Sequence, residues 1–342
     1  MTRLTAVRPL LLAATVALAP SLAAAAEVNV YTTREPGLIQ NLLDRFTADT
    51  GIVTNTIFVK EGLGERVSAE GANSPADVLM MVDYGNLIDL VERGLTQPVQ
   101  SEALEAAIPE ALRDAEDHWF ALSMRARVIY ASKDRVEETA LTYEDLADPK
   151  WNDRVCIRSG QHPYNTSLFS ALITRDGREA TETWLKGVKD NLARTAGGGD
   201  RDVAKDILAG ICDIGVGNSY YVGLMRSGAG GDEQKEWGAA INVILPTFAD
   251  GGGTHVNISG AAVAKNAPNR DEAVQFLEFL VSDEAQEIYA KANYEYPVKP
   301  GVAADPIIAD LGELVIDATP LTAIAANRKD ASLLVDEVGF DN

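Results

Sequence analysis

The sequence predicts an α/β protein in two domains, and three observations carry that prediction. Short apolar runs alternate with amphipathic stretches along nearly the whole chain, the pattern of strands crossing over into helices and of mostly parallel sheets. The 342 residues are about twice the length of one typical domain. The 28 Gly and 14 Pro are spread rather than clustered, so no stretch reads as a disordered linker, and no period of roughly 20 to 50 residues marks a repeat array.

The elements follow in order. Residues 1 to 26 have basic Arg3 and Arg8, an apolar run from Leu10 to Leu18, Pro20, and alanines ending at Ala26. This is the pattern of a secretory signal peptide cleaved near Ala25 or Ala26, its apolar run being too short to span a bilayer. No later segment approaches the roughly 18 apolar residues of a membrane helix, so a soluble exported protein, in the bacterial periplasm, is expected. A first strand covers residues 28 to 31, and Leu38, Ile39, Leu42, Leu43 and Phe46 recur at helical spacing. Residues 77 to 83 read as a fully buried strand, followed by strand candidates at 128–131, 155–157, 214–216, 243–245 and 261–264. At Asn269-Arg-Asp-Glu272 a capping box introduces a helix carrying Ala273, Val274, Phe276, Leu277 and Leu280.

Composition excludes several functions. With 30 Lys and Arg against 51 Asp and Glu the formal charge is −21, and removing Arg3 and Arg8 makes it −23. Nucleic acid is gripped through phosphates neutralised by basic side chains, so it is disfavoured as a partner. No nucleophile elbow, phosphate loop or His-Glu-x-x-His zinc helix is present. His118, His162 and His255 are the only histidines, too few for a multi-histidine zinc centre. A non-catalytic protein that captures a ligand in an interdomain cleft fits better. In an oxidising compartment Cys156 and Cys212 are expected to form a disulfide, since both lie in short apolar runs that look like buried strands; separate buried thiols and a two-cysteine metal site are the other readings.

Two turns carry the chemistry. Gly217-Asn-Ser-Tyr-Tyr221 follows a buried strand and begins a helix with Ser219 as its cap. Adjacent helical residues diverge by about 100°, so Tyr220 and Tyr221 reach one point only from a helix start or a turn. Gln161-His-Pro-Tyr-Asn-Thr-Ser167 places Tyr164 at another strand-to-helix crossing, and a disulfide at Cys156 would bring the two turns together. Three phenolates suit a hard trivalent cation, Fe(III), because a phenol with a pKa near 10 ionises at neutral pH only against a strong Lewis acid.

The sequence resembles the periplasmic ferric-ion-binding proteins of bacterial iron ABC transporters, a type II extracellular solute-binding family. The resemblance rests on Val30-Tyr-Thr-Thr-Arg34, Ser68-Ala-Glu-Gly-Ala-Asn-Ser-Pro-Ala-Asp-Val78, Arg125-Ala-Arg-Val-Ile129 and Leu146-Ala-Asp-Pro-Lys-Trp151. It continues through Tyr164-Asn165, Gly217-Asn-Ser-Tyr-Tyr221, Gly253-Thr-His-Val-Asn-Ile-Ser-Gly260 and Asn293-Tyr-Glu-Tyr-Pro297. It implies a two-lobed fold with the ligand cleft between lobes, in which Tyr164, Tyr220 and Tyr221 hold Fe(III). The tyrosine-rich branch of the family adds a His-Tyr pair after the motif ending at Arg34; this chain has Glu35-Pro36 there, so that phenolate is missing. Carbonate or bicarbonate fills the gap in some relatives, which implies an anion held by Arg125, with Arg127 two residues along the same strand face and Arg34 beside them.

Other residues are left with two readings. Tyr31 either lines the cleft or packs, and Glu35 either approaches the metal or stays an exposed turn carboxylate. His162, His255 and Asn257 are expected as hydrogen-bond partners behind the ligands. Asp77 and Asp83 receive no role. The expected lobes are residues 27–123 with about 251–300, and about 124–250 with 301–342, hinged near 121–125 and 246–256. The expected function is periplasmic capture of Fe(III) with its anion by a monomer and delivery to an inner-membrane ABC permease, without turnover. The rivals are a receptor for a small organic ligand, anion or polyamine, an exported metallohydrolase using Glu35 as base, and a chemosensory ligand carrier.

Overall fold

The computed structural model describes residues 26–342, so the leader peptide read at residues 1 to 26 lies almost wholly outside the described residues. Ten strands occur among the described residues: β1 Glu27–Thr32, β2 Val53–Phe58, β3 Val78–Met81, β4 Thr96–Gln97, β5 Phe120–Ser132, β6 Val155–Cys156, β7 Ile214–Asn218, β8 Ile241–Ile244, β9 Val256–Ala264 and β10 Tyr296–Pro297. They form one curled mixed sheet in the order β2-β1-β3-β9-β5-β7-β6, with β4 on β9 and both β8 and β10 on β5. The parallel pairs are β1 with β2, β1 with β3, and β6 with β7. Every pairing of β5 and β9 is antiparallel, so the sheet is less parallel than strand–helix alternation predicts. Alternation reports the crossovers inside each half and is blind to strands that run between halves.

β5 is the strand that joins the halves. All 13 of its residues are buried. From Phe120 to Ala126 it pairs with β9, with a register shift between Ala121 and Ser123, and from Arg127 onward it pairs with β7 and β8. The chain returns through residues 245 to 255 into β9 and leaves again after β10, whose Tyr296 and Pro297 pair with Met124 and Ser123. Thr254 ties the last two passages together: its N–H donates to Val315 O at 2.7 Å, and Asp317 N–H donates to Thr254 O at 3.0 Å.

Around the first half, the helix Gln40–Thr50 buries Leu42, Leu43 and Phe46, and the Phe46 ring meets Phe276 at 5.0 Å and Phe279 at 5.4 Å. Leu38, expected in that stripe, is exposed, because a short turn at Pro36–Leu38 precedes the helix and carries it to the cleft. β2 went unpredicted because none of its residues is buried; it is an edge strand held by β1 alone. Around the second half pack the helices Pro163–Asp176, Arg178–Asp190, Asp200–Leu208 and Ser219–Ser227, joined by the C-terminal helices Leu321–Ala325 and Arg328–Val338.

Two caps differ from expectation. Asn269 precedes its helix without capping it, because its backbone and side-chain N–H groups both donate to Asp77, at 2.7 and 3.0 Å. Ser219 is the first helical residue rather than the cap, and its Oγ instead accepts from Ala126 N of β5 at 3.2 Å. Cys156 and Cys212 are disulfide-bonded with Cα atoms 5.8 Å apart, as predicted, although Cys212 lies in the turn before β7 and not in a strand.

Candidate metal centre

The tyrosines are placed by two helix starts. In the helix Pro163–Asp176, Pro163 takes the first turn, where its missing N–H costs nothing, and His162 caps it by accepting Tyr164 N–H on Nδ1 at 3.2 Å. The His162 ring meets the Tyr164 ring edge-on at 4.5 Å. Burial first, and then Arg158, lower its pKa to about 4, which keeps the ring neutral and able to accept. β7 runs directly into the helix Ser219–Ser227, so Tyr220 and Tyr221 share its first turn with ring centroids 4.1 Å apart. Gly217 is required at this junction: a Cβ there would lie 2.3 Å from the Tyr130 ring, whose Oη donates to Asn218 O at 2.7 Å.

Two of the phenols meet. Tyr164 Oη and Tyr220 Oη are 3.4 Å apart, and both side chains line a cleft with about 670 Å³ of open space. Tyr221 stacks behind Tyr220 and does not line that cleft. Burial, then the neighbouring Tyr164 and Tyr221, push the Tyr220 phenol well above its usual range; burial and Tyr164 raise Tyr221 as well. Tyr220 and Tyr221 both resist ionising, and a multiply charged cation is what would reverse that. Arg158 lies over the Tyr164 ring at 5.1 Å and Arg201 over the Tyr221 ring at 5.7 Å, so each phenolate would form beside a cation. Among the described residues no group of three His, Cys, Asp or Glu side chains is placed to hold a metal, which leaves the phenols as the candidate donors.

The facing wall comes from the turn after β1, from β5 and from the segment before β10: Thr33, Arg34, Glu35, Arg125, Asn293 and Glu295 all line it. Arg125 is 2% exposed and donates from Nη1 to Ser259 Oγ at 2.7 Å, and from Nη2 to Ile258 O at 3.0 Å and Asn257 Oδ1 at 3.3 Å. Arg34 donates from Nη2 to Glu295 Oε1 at 2.9 Å and from Nη1 to Asn293 Oδ1 at 3.4 Å. Glu35 is exposed at the rim.

The remaining expected residues stand behind or away from the cleft. Arg127 does not line it; its Nη1 donates to Asp200 Oδ2 at 2.6 Å and Asn218 Oδ1 at 3.1 Å, and its Nη2 to Asn165 Oδ1 at 2.5 Å. Those partners sit beside the tyrosines in both helix starts, so Arg127 fixes the turns. Asn257 supports Arg125 and donates from Nδ2 to Asp83 Oδ2 at 2.7 Å. His255 Nε2 lies 2.7 Å from Ser167 Oγ, and burial, then Arg127, take its pKa down to about 3. Tyr31 packs away from the cleft, its Oη donating to Glu70 at 3.1 Å beneath Arg66. Asp77 staples β1 by accepting from Asn29, and Asp83 caps the helix Tyr84–Glu92.

Sequence reasoning gave no role to Arg158, Asp200 or Glu295. Asp200 and Arg158 stand alone among unremarkable neighbours in the chain. Glu295 lies inside the motif Asn293-Tyr-Glu-Tyr-Pro297, and an acidic residue beside the strand residues Tyr296 and Pro297 was the available signal.

Residues 73–310 match the family model described as bacterial extracellular solute-binding protein. The chain is 43% identical to Iron uptake protein A1 of Synechocystis sp. over 316 residues, covering 92% of this chain and 87% of that protein. It superposes on a Bordetella ferric binding protein with a TM-score of 0.90 at 62% identity, over 92% of this chain and 100% of that one. A Trichodesmium protein solved in complex with iron and citrate ligands superposes with a TM-score of 0.88 at 42% identity, over 92% and 99% of the two chains.

Proposed function

We propose that this chain, which belongs to the bacterial extracellular solute-binding protein family, captures Fe(III) in the periplasm and delivers it to an inner-membrane ABC permease. It acts as a monomeric receptor without turnover. The observation that carries the reading is the meeting of Tyr164 Oη and Tyr220 Oη at 3.4 Å with Tyr221 stacked behind Tyr220, in a cleft whose other wall presents Arg34 and Arg125. Tyr164, Tyr220 and Tyr221 supply three anionic oxygens that cancel the charge of Fe(III). A small turn of Tyr221 as the cleft closes brings in the third. Carbonate or bicarbonate completes the sphere, held by Arg125 and Arg34; Arg127, saturated by Asp200, Asn165 and Asn218, is left to position the turns. Glu35 stands at the rim where the missing His-Tyr pair of the tyrosine-rich relatives would fall.

Capture uses two lobes, residues 27–123 with about 251–300 and residues 124–250 with 301–342. Closure is a hinge motion on β5 near 121–125 and on 246–256. The register shift between Ala121 and Ser123 supports a bend at that place in β5.

The test is the visible spectrum of the purified protein titrated with ferric citrate, with and without bicarbonate. A tyrosinate-to-iron charge-transfer band that requires bicarbonate, and that is lost or strongly weakened in Tyr220→Phe and Tyr221→Phe, is the expected result. A protein that stays colourless at saturating iron would retire the ferric site in favour of a receptor for a small organic anion. A band that forms equally without bicarbonate would replace the inorganic anion with the citrate supplied alongside the iron, citrate being a ligand in the Trichodesmium complex.

A further inference from the structure

Arg34 and Arg125 are the arginines that line the cleft, and a carboxylate from the chain itself already lies against both. Glu295 is 2% exposed; its Oε1 accepts from Arg34 Nη2 at 2.9 Å and its Oε2 lies 3.8 Å from Arg125 Nη1. Ser123 Oγ donates to the same Oε2, and Ser259 Oγ accepts from both arginines, so the five side chains form one buried cluster at the cleft floor. Burial alone would raise the Glu295 carboxyl pKa, but Arg34 and Arg125 more than offset this and hold it below the usual range, so it is charged at neutral pH. Arg127 and Arg158 do not line the cleft and share Asp200. Of the two buried positive charges on the anion wall, one is therefore balanced by a buried carboxylate, Glu35 being exposed at the rim. Both arginines also keep a buried Nε–H that no protein acceptor takes.

We propose that Glu295 sets how tightly the cleft holds its anion: by occupying one edge of the Arg34 and Arg125 pair it leaves a single unbalanced positive charge for an external carbonate, bicarbonate or carboxylate. The inference rests on the anion role given to these arginines above. A fully unbalanced pair of buried guanidinium groups would bind a small anion strongly even without metal; the internal carboxylate competes for the same donors and keeps the anion exchangeable. Glu295 is a specificity-determining residue that touches the anion's partners and not the metal.

The experiment uses the metal-stripped chain, with bicarbonate and, separately, citrate titrated by calorimetry and by thermal melting. In Glu295→Gln the anion should bind about tenfold more tightly than in the unaltered protein, the change expected when one buried negative charge is removed from beside it. The same variant should have a lowered Tm without anion that is restored as anion is added, because the arginines have lost their internal partner. Asn293→Asp, which sets a second carboxylate beside Arg34, should weaken the anion about tenfold and decides the matter if Glu295→Gln does not fold. Anion binding unchanged or weaker in folded Glu295→Gln, or unchanged in Asn293→Asp, overturns the proposal. Because no iron is present, a protein that shows these shifts yet stays colourless with iron loses the ferric reading alone, and one that colours without the shifts loses only the role of Glu295.

Discussion

Arg125 and Arg127 lie two residues apart on β5, and their different fates show how far a single residue is set by its partners. Arg125 donates to backbone oxygen and neutral side chains at the cleft wall, with the Glu295 carboxylate 3.8 Å away, whereas Arg127 is bonded directly by Asp200, Asn165 and Asn218. Same-face geometry was legible in the sequence, but the location of Asp200, 73 residues away, was not. His255 gives a prediction at this scale. Its folded pKa is held to about 3 against an ordinary value of 6.5, so the native protein buries it neutral. Below pH 6.5 the unfolded chain takes up a proton that the folded chain refuses. The stability contributed by the neutral ring is full above pH 6.5 and is lost progressively as pH falls toward about 3. Urea titrations at pH 7.5 and 5 should show a smaller loss of stability on acidification in His255→Gln than in the unaltered protein; an identical loss would mean that His255 is not buried in the neutral form.

At the scale of elements, the tyrosine site is two copies of one device, a short strand or turn feeding a helix whose first turn presents a phenol. Cys156 lies eight residues before Tyr164 and Cys212 eight before Tyr220, so the disulfide staples both devices at their roots. Closing a loop across a sequence separation of 56 stabilises by about 4 kcal/mol through the entropy of the unfolded chain. The Cys156→Ser, Cys212→Ser double variant should lose about that much in denaturant midpoint analysis and should hold iron less tightly, since the spacing of Tyr164 from Tyr220 is then set by packing alone. A double variant with undiminished stability would show the bridge to be redundant. The bridge itself was readable from compartment and cysteine count. The cap at Asn269 was misread because a distant carboxylate, Asp77, outcompeted the local helix end for its side chain.

For the whole molecule, the contacts between the proposed lobes decide how easily the cleft opens. Arg328, at the start of the last helix, pairs with Asp83 at 3.0 Å and lies 5.9 Å from the Tyr84 ring centroid, while Tyr84 Oη is 2.9 Å from Ser167 Oγ. Gly85 leaves room for the guanidinium, since a Cβ there would fall 1.2 Å from Arg328 Nη1. The pair is partly exposed, so its worth is about 1 kcal/mol, or about fivefold in an open-to-closed ratio. Arg328→Ala should raise the radius of gyration of the metal-free protein in small-angle scattering and speed iron release to a chelator about fivefold. Scattering curves that superpose would show that this pair does not govern closure. The third passage between the halves, after β10, is tied to the second through Thr254, so the proposed hinge has three strands of chain where the sequence pointed to two.

The sequence by itself determined the class of fold, the disulfide and the two strand-to-helix turns that bring Tyr164 and Tyr220 together, because each is written in local signals: alternating apolar runs, an even cysteine count behind an export leader, and phenols at strand-to-helix turns. Tertiary structure alone decided which β5 arginine faces the cleft, that Tyr31 turns away to Glu70, and that Glu295 lies against Arg34 and Arg125. Those outcomes depend on pairings between residues tens to hundreds of positions apart, such as Arg34 with Glu295 and Arg127 with Asp200, and periodicity carries no information about which distant charge a buried charge will meet.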